Sequence, residues 1–212
     1  GRGRRCVIKD SIKFALRITT HPFDGFWDMK YEKKGKMSVA LTILILVIVA
    51  NIFDVLAGGF LYNSRYRLPV NVMYQVRRVI LPYILFCIAN WSVTTLMDGE
   101  GTIKNIAMAT GYALLPMILI RVPLTIVGNF LSYDERAYFN FFVSFATIWT
   151  GFLIFSGIMT VHQYSVFKTI FTLLLTILSM AVIVFIGVVF FSLGSQLVGF
   201  VYSIYKEIML RI

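Results

Sequence analysis

The two charges set deepest in apolar surroundings are Asp54 and Arg121. A central Asp or Arg in hydrocarbon costs about 2.5–3.5 kcal/mol on insertion scales, so each must face a bundle, a partner or the interface. An acid and a base at matching depth can share that cost, and an intramembrane Asp54–Arg121 ion pair is one reading. The other has each side chain snorkelling separately to the nearer headgroups. A second group, His21, Asp24, Asp28, Asp98, Glu100 and His162, falls in short polar connections. Imidazole and carboxylate ligate divalent cations, but this spacing follows no metal motif, and acidic turn residues commonly serve capping. Docking is the chemistry that fits: His21, Pro22, Asp24, Trp27, Asp98, Glu100 and His162 form a candidate surface for a protein partner. No Ser/His/Asp or Cys/His set is present, Gly99 and Gly101 lack the strand-to-helix context of a phosphate loop, and neither metal nor cofactor is implied. The chain does not read as an enzyme.

The elements that must position these residues follow from composition. Of 212 residues, 58% are apolar and 14% charged, and mean hydropathy is +0.81. Soluble domains are roughly 45–50% apolar and about 25% charged, and a water-soluble fold of this size would expose large apolar patches. The net charge of +10 would point to nucleic acid in a soluble protein. Here ten of the twenty cations lie in the first 36 residues, beside the first apolar run, so the partner is an anionic lipid bilayer and not nucleic acid. Cys6 and Cys87 sit in unlike environments and predict no disulfide.

A bilayer core of about 30 Å needs about 20 apolar residues per helix. Five stretches qualify: Met37–Gly58, Val79–Met97, Ile106–Leu131, Phe139–Val161 and Thr169–Leu193. The prediction is an all-α polytopic bundle of five transmembrane helices over residues 37–193. A basic segment precedes it at 1–36, and an interfacial helix follows at 194–212. Thr102 and Ser165 are expected caps, Ser132 to Glu135 an expected capping box, and Pro82 an expected first-turn proline. Pro116 and Pro123 should kink or break the third span. Asp98-Gly99-Glu100-Gly101 reads as a tight turn joining spans two and three. A helix continued without interruption from Lys168 would run about 65 Å, so a bend is expected near Gly194-Ser195.

Within the basic segment Arg5, Lys9, Lys13 and Arg17 recur every four residues, with Ile8, Ile12 and Leu16 on a second stripe widened by Ala15. That is a cationic amphipathic helix lying in the interface with its four cations on lipid headgroups. The alternative is a flexible basic head. Lysine and arginine near span ends count 12 on the head side against 7 opposite, which predicts the N-terminus inside and the C-terminus outside. Asn51, Asn90, Thr94, Thr95, Tyr112, Asn129, Thr147 and Thr150 are polar positions in or near spans, read as helix–helix hydrogen bonds, with the lining of a substrate path as the alternative. Tyr62, Tyr66, Tyr74, Tyr133 and Tyr138 read as an outer aromatic belt.

Four stretches together resemble a known family. They are Asn90-Trp91-Ser92-Val93-Thr94-Thr95-Leu96-Met97-Asp98-Gly99-Glu100-Gly101-Thr102, Gly111-Tyr112-Ala113-Leu114-Leu115-Pro116, His21-Pro22-Phe23-Asp24-Gly25-Phe26-Trp27 and His162-Gln163-Tyr164. The chain resembles the Yip-domain family from about residue 13 onward, and its bacterial members most. Gly111, Tyr112 and Pro116 carry the most specific element, and five spans is the family's layout. The resemblance implies no enzymatic activity. Eukaryotic members are Rab-linked trafficking factors of Golgi and endoplasmic reticulum membranes, with an acidic Rab-contacting region where this head is basic. Bacterial relatives lie in gene clusters with carbohydrate ABC transporters, which implies, by association, an accessory subunit in a bacterial cytoplasmic membrane. The functional expectation is a membrane adaptor, with an ABC permease or a second copy of the chain as partner. The alternatives are a solute or ion transporter or channel, and a membrane-shaping or trafficking factor.

Overall fold

The computed structural model describes residues 2–57, 71–130 and 135–211, with side chains from residue 10 onward except at 136, 208, 210 and 211. Eight helices carry the described chain: α1 (Arg2–Thr20), α2 (Pro22–Lys30), α3 (Met37–Ala57), α4 (Val72–Leu96), α5 (Ile103–Ala113), α6 (Leu115–Gly128), α7 (Arg136–His162) and α8 (Val166–Arg211). Five spans are long and apolar enough to cross a membrane, with α5 and α6 together forming the third. One end of the bundle, here the head end, carries α1, α2 and the connections at 31–36, 97–102 and 163–165. The opposite, or far, end carries the α6–α7 connection.

Local chemistry starts and stops these helices as their sequences require. The Thr102 hydroxyl accepts from the Asn105 amide at 3.3 Å, and the Ser165 hydroxyl from the Lys168 amide at 3.4 Å. Asn71 caps α4 by accepting from the Tyr74 amide at 3.0 Å, so α4 begins at Val72, about two turns before the expected boundary. Pro82 therefore lies inside the helix instead of in its first turn. Span three breaks at Leu114; Pro116 sits in the first turn of α6, and Pro123 is carried within it. The expected capping box at 132–135 lies, but for Glu135, outside the described residues, as do Tyr62, Tyr66 and Tyr133.

Span three holds the centre. Its halves pack on α3, α4, α7 and α1, whereas α8 packs mainly on α4. A Cβ at Gly111 would lie 2.8 Å from the Ala40 Cβ, so only glycine lets α5 approach α3 this closely. Next to it Tyr112, 1% exposed, meets Phe14 of α1 edge-on at 6.0 Å. The Tyr112 hydroxyl accepts from the Lys36 amide at 3.2 Å and donates to the Lys36 carbonyl at 3.4 Å. Pro116 then pre-sets the first turn of α6. The Gly–Tyr…Pro element thus clamps the start of α3 against the bundle.

The head is ordered as helix and packs on the bundle. Ala15 and Ile18 are buried while Ile12 and Leu16 stay exposed, so the apolar face of α1 is divided between the bundle and the outer surface. The α8 helix departs from expectation. It is continuous for 46 residues through Gly194-Ser195. No proline interrupts it, a helical glycine costs only about 1 kcal/mol, and the Ser195 hydroxyl bonds within the helix to the Ser192 carbonyl at 2.8 Å.

Gly111→Leu should lower the thermal midpoint in detergent, by overpacking worth about 1–3 kcal/mol. Gly151→Ala, where an added Cβ meets nothing within 4 Å, should leave it unchanged or raise it.

Candidate functional site

At the head end α2 lies across the last turns of α7. Phe26 is fully buried, and its ring sits over Gly157, where a Cβ would be 3.1 Å away. From the next turn the Lys30 ammonium donates to the Val161 carbonyl at 2.8 Å and to the Glu100 carboxylate at 3.1 Å. Tyr31 adds its hydroxyl to Glu100 at 3.4 Å. The Lys30 hydrogen bond and charge hold the Glu100 carboxyl below its ordinary value of 4.5. Three separate segments meet at this one ammonium.

Behind it, the Asp98–Gly101 turn packs on His162 and Tyr164. Asp98 adopts the left-handed backbone, with φ 55°, and no described glycine does. The glycines serve close approach instead: a Cβ at Gly99 would collide with His162 Nδ1, and one at Gly101 would lie 2.7 Å from His162 Cε1. The Gly101 amide donates to His162 Nδ1 at 3.3 Å, and the imidazole stacks on Tyr164 at 5.3 Å. Tyr164 in turn donates to the Met97 carbonyl at 3.1 Å. His162 Nε2 is buried without a hydrogen-bond partner. At 1% exposure, His162 is a pillar under the turn and not a docking residue, which corrects the expectation from sequence.

The remaining docking candidates are accessible. His21, Asp24, Asp98 and Glu100 are exposed and Pro22 is half-buried at the start of α2. Trp27 is 47% exposed, as is its neighbour Phe23 at 45%. Phe23, Asp24 and Trp27 face Gln163, Tyr164 and Ser165 across a cleft of about 360 Å³. A second groove, of about 430 Å³, gathers Lys13, Arg17, Lys33, Lys34 and Lys36. Arg17 is not free for headgroups alone, since it pairs with the buried Asp28 at 3.5 Å, a residue also held by Lys34 at 3.2 Å. Bonds to Glu32 and Asp28 push the Lys34 ammonium up from its ordinary value. The side chains of Arg5 and Lys9 lie outside the described residues.

Toward the far end the expected Asp54–Arg121 pair resolves differently. Among the described residues no ion pair joins them. Arg121 Nη1 donates to Asn51 Oδ1 at 2.8 Å, and Asp54 accepts from the Thr125 hydroxyl at 2.8 Å. Asn129 continues the series by donating to the Ala57 carbonyl at 2.8 Å. These rungs fall every three or four residues on α3 and α6, the spacing at which residues share one helix face. Each charge is thus met by a neutral group one turn from the other charge. Sequence reasoning singled out Asn51 and Asn129 but not Thr125, whose place four residues after Arg121 was the available signal.

A similar series was missed on α8. Thr169, Thr172 and Thr176 are fully buried and face α4, where Asn90 donates to the Thr176 hydroxyl at 3.1 Å. Threonines at that spacing in a Leu/Ile/Phe helix were the legible sign. Lys30 and Tyr31, the centre of the head-end junction, carried no sequence signal beyond being a cation beside an aromatic. Among the described residues no cluster of three metal-ligating side chains occurs.

The Yip1 domain family model matches residues 16–189. The chain belongs to the Yip1 domain family. The match begins inside α1 and ends inside α8, so it takes in the head-end junction and all five spans. No curated protein and no solved structure matches the chain. Within this Yip1 domain Gly111 sets the approach of α5 to α3, Tyr112 holds the Lys36 backbone and Pro116 starts α6.

Lys30→Met leaves the Val161 carbonyl unpaired and should destabilise by about 1–3 kcal/mol. Because the carboxyl of Glu100 is depressed in the folded state, its contribution is present above pH 4.5 and is lost as pH falls through the lowered value. The thermal midpoint of the wild type should therefore exceed that of Glu100→Gln near neutrality and converge on it in acid. At the far end, the charge swap Asp54→Arg with Arg121→Asp should fail to restore the midpoint lost in either single variant.

Proposed function

We propose that this Yip1-domain protein is a non-enzymatic adaptor, an accessory subunit that holds a partner membrane protein. The observation that carries the reading is α8. About 20 residues of it suffice to cross a bilayer core, yet the helix runs for 46, about 69 Å. Every residue from 184 to 207 is exposed, including Phe190, Phe191, Leu197, Val198, Phe200 and Val201. Apolar side chains circle the helix from 184 to 191, and beyond that Ser192, Ser195, Gln196, Ser203 and Lys206 share one stripe while the other faces stay apolar, so most of this surface suits an apolar environment and not water. The other described residues do not cover it, and a partner would.

The head end supplies a second, chemically different surface. Phe23 and Trp27 offer aromatic area next to Asp24, and the lysine-rich groove beside α1 suits the headgroups of an anionic leaflet. A carbohydrate ABC permease in a bacterial cytoplasmic membrane, with the head inside, is the partner to seek first, on the association that the family resemblance brings. Transport by the chain itself is the competing reading, favoured by a cavity of about 380 Å³ that all five spans line. Tyr112 is committed to the Lys36 backbone and lines no path in that reading.

A mild-detergent pull-down of the chain at native level, read by mass spectrometry, tests this. A stoichiometric membrane-protein partner should survive salt washes and be lost from a Val198→Glu/Val201→Glu variant. Val198→Ala/Val201→Ala, which trims the same exposed surface without placing charge in an apolar environment, should also weaken binding of the partner while changing stability by no more than about 0.5 kcal/mol. Recovery of the chain alone, or only as a homo-oligomer, overturns the adaptor reading.

A further inference from the structure

A cavity of about 380 Å³ lies among all five spans, within the roughly 300–1,000 Å³ of small-ligand sites. Its polar and apolar linings are segregated along the bundle axis. Asn51 on α3, Arg78 on α4 and Arg121 on α6 each lie six or seven residues from the far end of their helices, a depth of about 9–11 Å at 1.5 Å per residue. Farther in, from about 15 to 27 Å on the same measure, the wall is Val47, Phe86, Met117 and Ile154, with Met180 from α8.

The deep polar groups are already satisfied. The Tyr83 hydroxyl donates to the Ala107 carbonyl at 2.7 Å and the Thr110 hydroxyl to the Ile106 carbonyl at 2.9 Å. The cationic end is not. The wall holds two arginines and no carboxylate. Arg121 has five N–H donors and spends one on Asn51. Arg78 is exposed at the rim, and among the described residues neither arginine has an ion pair within 4.0 Å. Asp54, one turn nearer the far end, is engaged by Thr125 and offsets at most one of the two charges. Pro82, also in the wall, has no N–H to give the Arg78 carbonyl, which loosens the helix beside the guanidinium.

We propose that this cavity binds an anionic amphiphile, with a phosphate or carboxylate between Arg78 and Arg121 and an alkyl chain running inward past Met117 and Phe86. Two guanidiniums on one wall, Arg121 half-buried and Arg78 at the rim, suit a single oxyanion, which a guanidinium engages bidentately, and the inner wall offers a chain mainly apolar contact. A membrane phospholipid and a free single-chain acid share this chemistry. The site is independent of the α8 and head-end surfaces.

Native mass spectrometry of the full chain in dodecyl maltoside, titrated with dodecyl phosphate, phosphatidylglycerol or inorganic phosphate, tests the assignment. Dodecyl phosphate should bind at one-to-one stoichiometry, and Arg78→Gln/Arg121→Gln should weaken it at least tenfold. Glutamine keeps an amide to meet Asn51. Should that variant fail to fold, Met117→Trp, which retains both arginines and fills the inner wall, should weaken dodecyl phosphate to a similar extent. Competition by phosphatidylglycerol assigns the source to the bilayer; its absence assigns it to a free single-chain acid. Unchanged affinity in the arginine or tryptophan variant overturns the proposal, as does inorganic phosphate binding as tightly as dodecyl phosphate.

Discussion

The absence of a side chain at Gly111 sets the distance between α5 and α3, and the other contacts of the bundle are arranged around that distance. With α3 seated against Ala40, the Tyr112 hydroxyl reaches both backbone groups of Lys36 and fixes where the head ends and the first span begins. The tyrosine ring is also the surface on which α1 rests through Phe14. Lipid tails are as apolar as leucine, so no hydrophobic force assembles these spans. Close backbone approach and interhelical hydrogen bonds must do it instead. A cleft-free contact at one glycine is therefore worth more here than in a water-soluble core, where burial alone would draw the helices together.

Two polar ladders complete that logic. Asn51, Asp54 and Ala57 meet Arg121, Thr125 and Asn129 between α3 and α6, and Asn90 meets the threonines of α8. Most of these groups also bond their own helix, as Thr125 does to the Arg121 carbonyl at 2.9 Å. Those side-chain donors are thereby satisfied by their own helix whether or not the neighbouring one is present, and the backbone by the helix itself, which lets each span exist in the bilayer before it packs.

Much of this was legible from residue types. Apolar length gave the spans, Thr102 and Ser165 gave helix starts, Pro116 gave the break in span three, and matched depth brought Asp54 and Arg121 to one level. What escaped was pairing. Periodicity reports which residues share a face but not which face meets which, so the depth coincidence could not tell a direct ion pair from two charges each answered by a neutral neighbour. His162 illustrates the same limit. A histidine in a polar connection reads as exposed until the Gly99 and Gly101 backbones are seen to pack over its ring. Lys30 could not be singled out because two of its three acceptors, Glu100 and the Val161 carbonyl, come from distant parts of the chain. At Gly194-Ser195 propensity misled, since one glycine and one serine weaken a helix without ending it.

The length of α8 has a mechanical consequence. Its contacts lie in its first half, where the buried threonines face α4, and beyond Ile183 the described residues stand clear of the bundle. The remaining rod is about 42 Å long. A tilt of about 10° where α8 leaves the bundle, near Ile183, sweeps its tip through about 7 Å on that rise per residue. A shift too small to disturb the bundle becomes a displacement the width of a side chain at the opposite end, so α8 is built as a lever.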